Sequence, residues 1–90
     1  MAKKIIEEVL RYNATFEPAE EGGYTVTVPK LPGLVTEGDT FEDAMKMVKD
    51  AIAGYLEVLQ KEGEEIPEPD DKSITTLVGI KAPKQKFAQT

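Results

Sequence analysis

Carboxylates are the only plentiful reactive groups in this sequence. Seventeen Asp and Glu stand against 11 Lys and Arg, with neither a histidine nor a cysteine among the 90 residues. Without imidazole or thiolate, ordinary zinc sites, cysteine nucleophiles and triads of the Ser-His type are excluded. What carboxylates alone can do is hold two Mg²⁺ ions about 3.5–4 Å apart for phosphodiester hydrolysis. The candidates for that role are dispersed: Glu17 ends an alternating stretch, Glu20 and Glu21 lie in a Gly-rich turn, Asp39 precedes a helix, and Asp50 and Glu57 fall on that helix's polar face. No catalytic, cofactor-binding or metal site is therefore assigned, and no cofactor is implied. Gly22-Gly23 could pass for a phosphate loop, but neither the helix N-terminus nor the lysine of such a loop follows it, so the pair reads as a turn.

The other chemistry open to carboxylates is recognition of a basic partner. All 17 acids fall in residues 1–71 together with seven of the 11 basic residues; the other four, Lys72, Lys81, Lys84 and Lys86, follow with no acid, so a body of −10 and an end of +4 make the net −6. A body of that charge repels phosphate backbones, whose neutralisation by Lys and Arg supplies most nucleic-acid affinity, so direct DNA binding is not expected. The densest negative charge is Glu62, Glu64, Glu65, Glu68, Asp70 and Asp71, a stretch stiffened by Pro67 and Pro69. It is the candidate partner-binding surface, although runs of charge are usually solvated faces.

The elements that must position these groups follow from periodicity. Ile5, Ile6, Val9 and Leu10 recur at three-to-four spacing, which predicts a short helix over Lys3–Leu10. Tyr12, Ala14 and Phe16 alternate with polar residues and predict a strand from Tyr12 to Glu17; a Gly22-Gly23 turn and a second alternating run, Tyr24–Val28, make a hairpin. Pro29 and Pro32 lack amide donors, so the stretch to Gly33 is irregular, and Leu34–Glu37 is a brief third strand. Thr40 is the expected N-cap of the clearest element, a helix from about Phe41 to Glu62 with Phe41, Ala44, Met45, Val48, Ala51, Ile52, Tyr55, Leu56 and Leu59 on one stripe, ending at Gly63. The proline-punctuated loop Glu64–Asp71 follows. Ser73–Ile80 is rich in β-branched residues, with Ile74, Thr76, Val78 and Ile80 on one face, and predicts a last strand. The fold class is α+β: a small antiparallel or mixed sheet with one long helix packed on one face, a single domain over residues 1–80, and a basic tail over 81–90.

With these residues in place a family resemblance emerges. Gly22-Gly23-Tyr24-Thr25-Val26-Thr27-Val28-Pro29-Lys30-Leu31-Pro32-Gly33, then Gly38-Asp39-Thr40 with Glu42 and Ala44, then Ala51-Ile52 and Tyr55-Leu56, then Ile66-Pro67-Glu68-Pro69 resemble the HicB-like antitoxin domain over roughly residues 12–69. Lys30 stands where that family commonly has an acid, and Leu34 where it frequently has cysteine. The resemblance implies a truncated ribonuclease-H-like fold without ribonuclease activity, whose members neutralise a small basic toxin of the HicA type that cleaves messenger RNA. Members that regulate their own operon carry a C-terminal DNA-binding module, for which the ten residues after Ile80 leave no room.

The resulting expectation is a non-enzymatic antitoxin domain that binds its toxin by protein-protein contact. An orphan oligomeric module with no toxin partner is the alternative. A domain this small gains from further burial, so a dimer or tetramer is expected. No stretch is apolar for long enough to span a bilayer, and the start loses its apolar character too soon for a signal peptide, which points to the cytoplasm and away from membranes.

Overall fold

Alternation of apolar and polar side chains over three short runs, each closed by glycine or proline, produces an antiparallel meander. In the computed structural model, which describes residues 9–84, the strands are β1 (Thr15–Pro18), β2 (Tyr24–Thr27) and β3 (Val35–Gly38), in the order β1-β2-β3, followed by the helix α1 (Phe41–Lys61). Phe16 pairs with Val26 and Val26 with Thr36, so these positions share the face that α1 covers. Glu17, Thr25 and Glu37 form the next row and point to the open face.

The core is small and aliphatic. Val26, Val28, Leu31, Leu34, Ala44 and Val48 are buried, and Tyr12, Ala14, Phe16, Tyr24, Met45, Ala51, Ile52, Tyr55 and Leu56 pack around them half-buried. Among the fully buried side chains Leu31 is the largest together with Val26, yet it sits between two prolines in the loop that leads to β3. Two turn bonds tuck it in, from the Leu31 N–H to the Val28 carbonyl (2.9 Å) and from the Leu34 N–H to the Leu31 carbonyl (3.2 Å). The Tyr55 hydroxyl then donates to the Pro32 carbonyl at 2.9 Å and ties the loop to the helix.

Two glycines set how closely the layers approach. A Cβ on Gly38 would stand 2.3 Å from the Ala44 nitrogen and 2.6 Å from its Cα, so β3 meets the first turn of α1 backbone to backbone. Gly23, at φ +76°, adopts a conformation that other residues avoid, and a Cβ there would meet the Gly38 carbonyl oxygen at 2.5 Å. The helix starts where Thr40 accepts a hydrogen bond from the Asp43 N–H (3.0 Å), with Glu42 and Asp43 at the positive end of its dipole. It stops in a Schellman motif: Glu64 N–H bonds the Leu59 carbonyl (2.9 Å) and Gly63 N–H bonds that of Gln60 (3.1 Å).

Three expectations need correction or limits. The first strand begins at Thr15 rather than Tyr12, because backbone groups of Arg11 and Asn13 are engaged by Asp70 instead of a ladder partner. Ser73–Ile80 is not a strand: it makes no ladder, and Ile74 and Leu77 are 86% and 99% exposed. Alternation marks a face, but a strand also requires an edge to pair with, and this segment lies against none. The short N-terminal helix falls outside the described residues except for Val9 and Leu10, which are not helical. The described part of the basic tail, 81–84, is exposed. Among the described residues no helix is long and apolar enough to cross a membrane.

Candidate functional site

Glu62 to Asp71 runs from the C-cap of α1 back along the chain entering β1, as a strap. Its carboxylates divide into two kinds. Glu62, Glu64, Glu65, Glu68 and Asp71 are exposed, whereas the Asp70 side chain is only 11% exposed. Asp70 is the strap's fastening: its N–H donates to the Arg11 carbonyl at 2.7 Å, and its Oδ2 accepts from the Asn13 N–H at 3.1 Å. Lys30 Nζ stands 4.0 Å from its Oδ1, offsetting the partly buried charge. Ser73 N–H bonds the Asp70 carbonyl (3.0 Å) and the Asn13 side chain reaches the Ser73 hydroxyl (3.4 Å).

A second fastening lies earlier on the strap, where the Tyr12 hydroxyl donates to the Pro67 carbonyl at 2.7 Å. Desolvation, followed by the nearby charges of Asp70 and Asp71, raises the Tyr12 pKa above its ordinary value of 10.0. The phenol therefore keeps its proton, and with it the ability to donate the bond, to higher pH than an ordinary tyrosine. Fixed at both ends, the strap presents Glu64, Glu65, Glu68 and Asp71 to solvent on a backbone that is already ordered.

A further group of acids, which sequence reasoning left dispersed, lines a single cleft. Glu20 and Glu21 from the β1–β2 turn, Glu37 from β3, and Asp39 and Asp43 at the helix start surround a concavity of about 810 Å³, with Tyr24 and Met47 as its apolar wall. The antiparallel register, which sets Tyr24 beside Gly38 and Thr25 beside Glu37, brings them together. Among the described residues no three carboxylates come close enough to hold a metal ion. Glu17 belongs to the row on the open sheet face, and Asp50 and Glu57 are exposed on α1, with Glu57 3.4 Å from Lys61. Phe41 is half exposed beside the cleft, its ring 4.8 Å from Phe16 and edge-on to Tyr24 at 6.1 Å. A pattern reading would have found the cleft only by laying the Thr25–Glu37 pairing beside the hairpin turn.

A three-stranded meander under one helix, with its surface chemistry concentrated in carboxylates, defines a small acidic α+β domain. Residues 12–84 match the family described as HicB-like antitoxin of bacterial toxin-antitoxin systems, and the chain belongs to that family. Among its relatives is an antitoxin HicB of Photorhabdus laumondii, 42% identical over 66 residues that make up 73% of this chain and 43% of the relative. Antitoxin HicB of Escherichia coli is 38% identical over 60 residues, 67% of this chain and 44% of that protein. A UPF0150 protein of Thermoplasma acidophilum is 39% identical over 66 residues and is covered to 96% of its length. The chain thus spans less than half of the two antitoxins but nearly all of the archaeal protein.

Proposed function

We propose that this chain neutralises a small, basic, messenger-RNA-cleaving toxin of the HicA type by direct contact in the cytoplasm, without catalysis of its own. The observation that carries the reading is the fastened strap: family membership supplies the class of activity, and the strap supplies an ordered, exposed array of carboxylates. Glu62, Glu64, Glu65, Glu68 and Asp71 make the electrostatic contact, and Asp70 holds them in place. A pre-ordered loop loses less conformational entropy on docking than a mobile one, which favours affinity at a given contact area. In this reading the sheet and helix serve as a truncated ribonuclease-H-like scaffold, and RNA is the toxin's substrate rather than a ligand of this chain.

Co-expression with a small basic toxin of the HicA type, sought first in the adjacent open reading frame, tests the reading. The two should purify together, and growth arrested by the toxin alone should resume. A toxin whose RNA cleavage continues unchanged in the presence of an excess of this chain overturns it.

A further inference from the structure

Two unfinished surfaces of this chain fit one another. The first is the free edge of β1. The helix lies over β3 and β2, so the side of the sheet at β1 is left with an apolar groove of about 900 Å³ between the chain at Leu10–Phe16 and α1, where Ala14, Phe16, Met45, Val48 and Ile52 line it. The outer backbone edge of β1 has no ladder partner among the described residues. The second is Ser73–Ile80, a β-branched, uncharged run that exposes Ile74, Leu77, Val78 and Ile80 almost completely.

We propose that Ser73–Ile80 of one copy adds as an edge strand to β1 of a second copy, reciprocally, so that each copy fills the other's groove. The alternation that makes no strand within one chain then has a use: Ile74, Thr76, Val78 and Ile80 share a face that turns toward the groove, while the backbone completes the β1 ladder. Charge agrees with the pairing. On its C-terminal side the donated run carries Lys81 and Lys84 with no acid, while Asp71-Lys72 precede it, and the edge that receives it carries Glu17, with Glu20 and Glu21 in the adjoining turn. The hinge is already placed, since Ser73 is bonded to Asp70 and to Asn13, two residues ahead of β1, and Ile74 sits on the rim of the groove. Ile74 and Thr75 still border their own chain at Asn13–Thr15, whereas Leu77, Val78 and Ile80 stand clear of it. Exchange of an identical element closes a two-fold dimer and covers both exposed runs at once. The inference stands independently of any toxin, because donor and acceptor lie on the same chain.

Light scattering on the full chain should give about twice the 9.9 kDa monomer mass. Thr76→Pro, which removes a ladder donor and fixes φ in an exposed position, should weaken the dimer by about 100-fold or more while leaving the circular-dichroism spectrum and unfolding midpoint of the monomer unchanged. Because the chain has no cysteine, Glu17→Cys and Leu77→Cys can be made as separate variants and mixed; a mixed disulfide forms only between copies. A monomeric mass overturns the proposal, as does a dimer indifferent to Thr76→Pro. So does a double variant that closes its disulfide within one chain and runs as a monomer, which would put the strand on its own β1.

Discussion

The sheet-and-helix body, Thr15–Lys61, and the strap that returns from it, Glu62–Asp71, are held by different forces. The body closes over six buried aliphatic side chains and a backbone contact at Gly38 that admits no Cβ. The strap buries no side chain completely; what fixes it is one carboxylate, one phenol and the backbone groups of Arg11 and Asn13. Beyond it, Ile74–Ile80 has neither kind of anchor and stands in solvent. Burial makes the body cooperative, whereas a few polar bonds can order a segment without making it part of the core. A reactive surface placed on such a segment can be altered without unfolding the domain.

The largest test of the comparison lies in the body. Gly38→Ala puts a methyl group against the backbone of Ala44 and should destabilise the domain by about 3 kcal/mol or more, since β3 and α1 must separate to admit it. Leu31→Ala empties the centre of the core and should cost about 2–5 kcal/mol. Against a total stability of about 5–10 kcal/mol for a domain of this size, either change should shift the urea unfolding midpoint strongly. If Leu31→Ala moves it no more than a strap substitution does, the division between the two regions is wrong.

A strap substitution should be smaller and local. Asp70→Ala leaves the Asn13 N–H without its carboxylate partner and should cost about 1–2 kcal/mol. Amide exchange at Asn13 and proteolysis between Glu64 and Ser73 should both accelerate, while amides in α1 stay protected to the same degree.

How far these parts were legible in the sequence follows from the same division. The helix declares itself through nine stripe positions, Thr40 and Gly63, because every signal lies within a few residues of the structure it specifies. The hairpin is equally local. Leu31 looks like a loop residue between Pro29 and Pro32, and only the docking of α1 makes it core. Asp70 counts as one acid among six until the fold brings Arg11 and Asn13 to it, a meeting no local pattern encodes. Ser73–Ile80 carries the pattern of a strand, but pattern specifies which side chains share a face, and the edge to pair with has to come from elsewhere.

Alkaline pH gives a still finer test. The Tyr12 pKa is raised in the folded chain, so the unfolded or unstrapped chain releases this proton first as pH rises. The stability linked to it is fully present below the ordinary tyrosine value of 10.0 and is lost as pH climbs through the higher folded value. Tyr12→Phe removes the bond to Pro67, should cost about 0.5–1.5 kcal/mol at neutral pH, and should flatten that alkaline loss as read by unfolding at several pH values above 10. A wild-type profile with the same alkaline slope as the variant would show that the phenol does not hold the strap.

The smallest effect on stability should come from the exposed acids, and there the comparison meets function. Glu64, Glu65 and Asp71 are exposed and make no side-chain bond or ion pair among the described residues, so reversing all three to lysine should leave the unfolding midpoint within about 0.5 kcal/mol of its original stability. Asp70 has to be left intact, since changing it would unfasten the strap and confuse loss of charge with loss of order. Exposed charges at the rim of an interface act mainly on the rate of encounter and its dependence on salt, while dissociation is governed by desolvated anchors. The triple reversal should therefore slow association with a basic toxin severalfold at low ionic strength and flatten the salt dependence, with little change in dissociation. Asp70→Ala should do the opposite, leaving most of the charge that steers encounter but loosening the surface that receives it, so the complex should fall apart faster. Stopped-flow association and dissociation on both variants separate the two contributions, and equal association rates for the triple variant and the wild type at low salt would remove the strap from the docking surface.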